Sequence, residues 1–288
     1  MKHYIFLPLL GSFASAAHAT VVFSDDFNRA DLGSVYVTTV KSGDGGASIN
    51  GGAFVELTND ATATVNASGR VSVATAFSNF AAPFSGKLTD NASTVTWETN
   101  LRFNRASAPS GFASGEYGVA FVLAASDADF TQGNGYAVVY GNALSPDPFR
   151  LVRYTGGLSS NTSANITNLF SSGASDLAAV NNYASVRVTY NRTGNVWALY
   201  VRDDGASAWA DPATMDAGSL KGTATDSTYT GTALTHAGFL WNYATGTAQT
   251  AQFDNLRVSA VPEPASYGAL GAGVLGALAL LRRRRRAG

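Results

Sequence analysis

The chain of 288 residues is predicted to be all-β, an antiparallel two-sheet jelly-roll sandwich held between two apolar termini. Three observations predict this. Apolar and polar residues alternate with period two through most of the interior. Runs of Gly, Asn and Asp separate the alternating segments. Outside the termini, no apolar stripe of period 3.6 reaches helical length.

The clearest strand is 94–103. Val95, Trp97, Thr99, Leu101 and Phe103 alternate with Thr94, Thr96, Glu98, Asn100 and Arg102, which describes a half-buried strand with one wet face. Further strands are expected at 21–24, 54–57, 71–77, 117–123, 136–140, 149–154, 184–190, 196–202, 237–243 and 251–258. Turn chemistry falls between them at Gly43-Asp-Gly-Gly46, Gln132-Gly-Asn-Gly135, Asn191-Arg-Thr-Gly-Asn195 and Asp203-Asp-Gly205. The segments on either side of 191–195 read as a β-hairpin.

The termini have a different chemistry. Met1-Lys2-His3 is a short basic start, 4–13 is apolar, and Ala17-His18-Ala19 is a small-x-small cleavage site, so residues 1–19 read as a signal peptide. At the other end Pro262-Glu263-Pro264 precedes an apolar run over 265–281. Arg282, Arg283, Arg284, Arg285 and Arg286 follow it. At about 1.5 Å per residue that run makes a helix of roughly 25 Å, at the short end of what spans a bilayer. The arginines hold their end on the cytoplasmic side, and the prolines keep the motif extended. This tripartite tail over 261–288 resembles the PEP-CTERM sorting signal of exported Gram-negative proteins. The resemblance implies an inner-membrane-anchored precursor, processing by an exosortase, and a final place at the cell surface or in the extracellular matrix. The secretory translocon and signal peptidase are the other expected partners.

Between the ends lies a domain over 20–260. Setting aside Lys2, the five tail arginines and Glu263 leaves it 13 basic and 19 acidic residues, a balance of about −6. Such a domain lacks the basic footprint that nucleic-acid binding relies on. Cysteine is absent, which excludes disulfides and thiol catalysis.

The order of segments resembles a concanavalin A-like or laminin-G-like lectin domain. Phe23-Ser-Asp-Asp-Phe-Asn-Arg-Ala-Asp31 is similar to the opening strand and loop. Gly135-Tyr-Ala-Val-Val-Tyr140 with Phe149-Arg-Leu-Val-Arg-Tyr154 is similar to the central pair, and Phe253-Asp-Asn-Leu-Arg-Val-Ser259 to the closing strand. The resemblance implies that first and last strands are neighbours and that the domain contacts carbohydrate.

Catalysis is not expected. Retaining glycosidases of this fold carry Glu-x-Asp-x-x-Glu on one strand, which places carboxylates on one face. The domain has three glutamates, Glu56, Glu98 and Glu116, and two residues after Glu98 stands Asn100. Glu98 reads as a solvated strand carboxylate. His236 is the only histidine left after signal removal, which rules out a histidine metal cluster. A structural calcium is the best small-scale chemistry, with Asp25, Asp26, Asp31 and Asp254 as oxygen donors if the terminal strands meet. For sugar contact the candidates are Trp209, read as an exposed loop residue, with Trp241, Tyr243, Tyr140 and Asn142. The functional expectation is a non-catalytic, exopolysaccharide-binding surface or matrix protein. A glycan hydrolase of the same fold, or a purely structural matrix protein, is the alternative.

Overall fold

The computed structural model describes residues 19–60, 67–91, 94–141, 146–246 and 249–261. Residues 1–18 of the signal peptide expected over 1–19, Pro262, Glu263, Pro264, the apolar run 265–281, Arg282–Arg286 and Asn142 lie outside the described residues. Among the described residues no helix is long and apolar enough to cross a membrane.

Among the described residues fifteen strands follow one another: β1 Thr20–Asp25, β2 Tyr36–Lys41, β3 Gly46–Asn50, β4 Phe54–Thr58, β5 Gly69–Ala76, β6 Thr94–Asn104, β7 Gly118–Ala125, β8 Asn134–Tyr140, β9 Phe149–Thr155, β10 Ile166–Ser171, β11 Tyr183–Asn191, β12 Val196–Gly205, β13 Leu220–Thr225, β14 His236–Tyr243 and β15 Thr250–Ala260. One sheet runs β13-β12-β11-β6-β15-β4-β3, with β1 also pairing β15. The other runs β10-β9-β8-β7-β14-β5-β2, and every paired strand in both is antiparallel. The β11–β12 hairpin turns through Gly194 and Asn195, both at positive φ (80° and 52°). That left-handed geometry is why the turn carries Gly and Asn.

The first and last strands are neighbours, as expected: Thr20 faces Ala260 and Asp25 faces Leu256. β15 changes partner along its length. Its first residues pair β4, ending at Phe253↔Val55, and its later ones pair β1. The handover falls at Asp254 and Asn255, where the register against β6 shifts and Asn255 adopts φ 51°.

Alternating residues of both sheets fill the interior. Trp97 and Trp197 stack at 6.0 Å, Tyr136 and Tyr190 close on Trp197, and Phe239 stacks on Phe253 at 4.1 Å. Each such side chain contributes roughly 1.5–3 kcal/mol by leaving water. A second apolar layer lies on the far side of the seven-stranded sheet. Ala120, Val122, Ala137, Val139, Val152 and Leu240 meet Phe112, Phe130 and Leu158 there. The near-continuous apolar run of β7, buried at every position, follows from this two-sided cover.

Candidate functional site

Register assembles the site on the outer face of the eight-stranded sheet. Tyr200 of β12 faces Arg187 of β11, Arg187 faces Glu98 of β6, and Glu98 faces Arg257 of β15. This makes a row across four strands, with neighbours about 4.8 Å apart. Two residues along each strand lie the next rows, three on the Asp254 side of β15, where the register shifts. Thr189, Thr96 and Ser259 stand on one side, and Arg202, Ser185, Asn100 and Asp254 on the other.

The row of Arg202 is closed. Arg202 Nε donates to Asp204 at 2.6 Å and its Nη2 to Ser185 Oγ at 2.9 Å. Asn100 Nδ2 donates to Ser185 Oγ at 3.0 Å and to the Ala210 carbonyl at 2.9 Å, and Asn255 Nδ2 to Asn100 Oδ1 at 2.8 Å. The loop over 206–216 covers this row. Trp209 pins the loop down, its ring edge-on to Phe54 at 5.3 Å and to Tyr183 at 5.0 Å.

The row of Glu98 is open. The residue is only 6% exposed, which corrects its reading as a solvated carboxylate, because Arg187 and Arg257 wall it in. The nearest cationic nitrogens are 3.9 Å away on Arg187 and 3.8 Å away on Arg257, too far for hydrogen bonds. Burial pushes the Glu98 carboxyl above the usual carboxylate range. The two arginines oppose that shift and Asp211 adds to it. Arg187 is held in place by its guanidinium lying 4.4 Å from the centre of the Tyr200 ring.

Two clefts open on this face. One of about 310 Å³ is lined by Thr96, Glu98, Arg187, Thr189, Tyr200 and Arg257, among others. A larger one of about 510 Å³ includes Asp25, Asp26, Arg29, Asp211, Asn255 and Arg257 in its lining. Arg257 belongs to both, and the 211–213 segment overhangs both.

The acidic residues expected at the terminal strands do gather near the larger cleft, but most are already engaged. Asp25 takes Arg29 Nη1 at 2.5 Å and Nη2 at 2.8 Å, and also accepts the Phe27 N–H at 2.8 Å. Asp26 accepts the Asn28 N–H and Asp31 the Gly33 N–H, as turn residues do. Burial pushes the Asp254 carboxyl up to about 6. The Asn255 N–H pulls it back in part, while Asp26 and Asp25 add to the rise. Among the described residues no group of three or more His, Cys, Asp or Glu side chains is placed to hold a metal ion.

The aromatic candidates are corrected. Trp241 and Tyr243 are 0% exposed and Tyr140 is 1% exposed, because each lies on the inward face of its strand. Tyr140 stacks on Phe149 at 4.4 Å, and Trp241 meets Phe103 at 5.4 Å. Tyr243 Oη donates to the Ser42 carbonyl at 3.0 Å, under Gly43, Gly45 and Gly69, where a Cβ would strike its ring or hydroxyl. Trp209 is half-buried rather than exposed, since its indole covers Phe54 and Tyr183. None of these four lines either cleft. Of the residues that do, Arg187, Tyr200 and Arg257 were missed. Their alternation marks them as outward-facing, but only register shows that they flank Glu98.

Fold and tail together define a lectin-type, concanavalin A-like sandwich followed by a sorting motif. Residues 260–286 match the PEP-CTERM protein-sorting motif. The sandwich is similar to lectin II from Ulex europaeus, at 13% identity and a TM-score of 0.52, covering 85% of this chain and 100% of that one. It is similar also to lectin UEA-II solved in complex with galactose, at 14% identity and a TM-score of 0.53, with the same coverage. At such identities the likeness establishes the fold alone. No curated protein matches the sequence.

Proposed function

We propose that the chain is exported, held at the inner membrane by its tail, processed there by an exosortase, and displayed at the cell surface or in the extracellular matrix. There its sandwich binds polysaccharide without cleaving it. The observation that carries the binding role is the pair of adjoining clefts on one sheet face. Guanidinium, carboxylate, hydroxyl and amide groups line them, the mixture that hydrogen-bonds sugars. The sorting motif at 260–286 supports the address. The absence of catalysis is supported by the row itself: Glu98 is faced across both neighbouring strands by arginines rather than by a second carboxylate.

The mature protein should therefore retain exopolysaccharide in a pull-down or calorimetric titration, run with and without calcium, and release no reducing sugar. Mass spectrometry of that protein should show Arg282–Arg286 removed. Surface protein ending in intact Gly288 would refute the processing. One observation favours the hydrolase alternative: Glu98 is buried with its carboxyl raised, as a general acid requires. Glycan cleavage that disappears in Glu98→Gln would establish that reading instead.

A further inference from the structure

We propose that Glu98, between Arg187 and Arg257, is a subsite for adjacent hydroxyls of a neutral sugar, on the outer face of the eight-stranded sheet. The proposal rests on the carbohydrate-binding reading and gives it a place and a ligand class.

The Glu98 side chain is 8% exposed and takes part in no hydrogen bond among the described residues. Its ion-pair distances of 3.8 and 3.9 Å leave both carboxylate oxygens short of donors. The Nε of Arg257 is buried and also lacks a partner. Buried polar atoms in folded proteins are almost always paired. Here an acceptor and a buried donor lie side by side, ion-paired at 3.8 Å but without a hydrogen bond, in the lining of a cleft of about 310 Å³. The neighbouring row shows the contrast, because there Ser185, Asn100, Arg202 and Asp204 satisfy one another.

Two hydroxyls on adjacent carbons match this arrangement. Each O–H donates to one oxygen of the carboxylate, while the hydroxyl oxygens accept from the guanidinium N–H groups on either side. Such charge-assisted bonds are short and directional. Thr96, Thr189 and Ser259 supply further hydroxyls at the rim. A neutral sugar fits better than an anionic one. A uronate would set its carboxylate against Glu98, with Asp26 and Asp211 lining the adjoining cleft, and like charges brought together oppose binding.

The test is a calorimetric titration of the mature protein with glucose-, galactose- and mannose-based neutral oligosaccharides and with an oligouronate. Glu98→Gln and Thr189→Trp are titrated alongside. Glu98→Gln removes the charge and half of the paired acceptor at constant shape. Thr189→Trp fills the cleft from a partly exposed strand position and leaves Glu98 in place, so it decides the matter if the first variant fails to fold. Melting temperatures near the wild-type value certify each variant. The expected result is binding of at least one neutral oligosaccharide, weakened about ten-fold or more by Glu98→Gln and abolished by Thr189→Trp. Undiminished binding in both folded variants overturns this subsite and leaves the carbohydrate-binding reading standing. Preference for the oligouronate overturns the neutral-sugar assignment. Wild-type protein that binds none of the sugars overturns the subsite together with the reading on which it rests.

Discussion

Asp254 offers a test of the electrostatics where β15 passes from one partner to the other. Its carboxyl titrates in the folded protein near 6, against an ordinary value of 3.8, chiefly because burial penalises the charged form. A raised carboxyl binds its proton more tightly in the fold than in the unfolded chain. The stability this contributes is fully present below about pH 4 and is lost as pH rises through about 6. Above pH 6 the fold therefore carries an ionised, poorly solvated group. A displacement of roughly two pH units corresponds to about 3 kcal/mol. Because Asp254 retains some contact with solvent, screening reduces this to about 1–2 kcal/mol. Asp254→Asn stays neutral and keeps an oxygen to accept the Asn255 N–H, now 2.8 Å from the carboxylate. At pH 7.5 the variant should be more stable by that amount, raising the melting temperature by roughly 2–6 °C for a domain of this size. At pH 4 the two proteins should melt together. Thermal unfolding followed by circular dichroism between pH 4 and 8 measures both limits. A variant that is less stable at pH 7.5 would refute the reasoning, since it would mean that the Asn255 Nδ2 bond to the other Asp254 oxygen, 3.0 Å long and lost in the variant, outweighs the cost of burying the charge.

Three further outcomes follow from packing and pairing. Trp197→Ala removes the ring between Trp97, Tyr136 and Tyr190 and orphans the Asp226 carbonyl that its Nε1 bonds at 3.1 Å. It should cost about 3–5 kcal/mol in urea unfolding, and a loss under about 1 kcal/mol would contradict its place in the core. Asn242→Ala deletes the amide that donates to the carbonyls of Gly111, Ala113 and Glu116 at 2.9, 3.1 and 2.9 Å. It should cost about 1–3 kcal/mol and accelerate hydrogen exchange across 111–116, whereas unchanged exchange there would show the loop to be held by other contacts. With Asp25 taken by Arg29, chelation by EDTA should leave the melting curve unmoved. A fall in melting temperature would reveal a native-state metal and revive calcium at the terminal strands.

The strands that the sequence made legible are the ones with two neighbours and a buried face, together with the two terminal ones. The four left unread, β2, β3, β10 and β13, are the outermost strands of the two sheets. An outermost strand buries little. β13 reads Leu-Lys-Gly-Thr-Ala-Thr with no position buried, and β3 reads Gly-Ala-Ser-Ile-Asn. Without an apolar face there is no alternation to detect. The site was hidden for another reason. Alternation told that Glu98 points outward, yet its burial comes from Arg187 and Arg257, 89 and 159 positions further along the chain, brought beside it by pairing alone. The aromatic candidates failed in the opposite sense. Trp241 and Tyr243 stand on the inward phase of β14, so the periodicity that located the strand also placed them in the core.

The pairing of β1 with β15 has a consequence for timing. β15 is the last strand among the described residues, yet it sits inside the eight-stranded sheet, bonded to β6 along one edge and to β4 and β1 along the other. A chain that emerges from its N-terminus onward cannot close this sheet from the fourteen strands already out. Until residue 260 is clear, β6 and β4 each keep an unpaired edge and β1 has no strand partner, and open edges invite pairing with other chains. The sorting motif begins at that same residue 260. The last pairing strand thus ends where the tail begins, and a stall just short of that point leaves a sandwich with its central seam open.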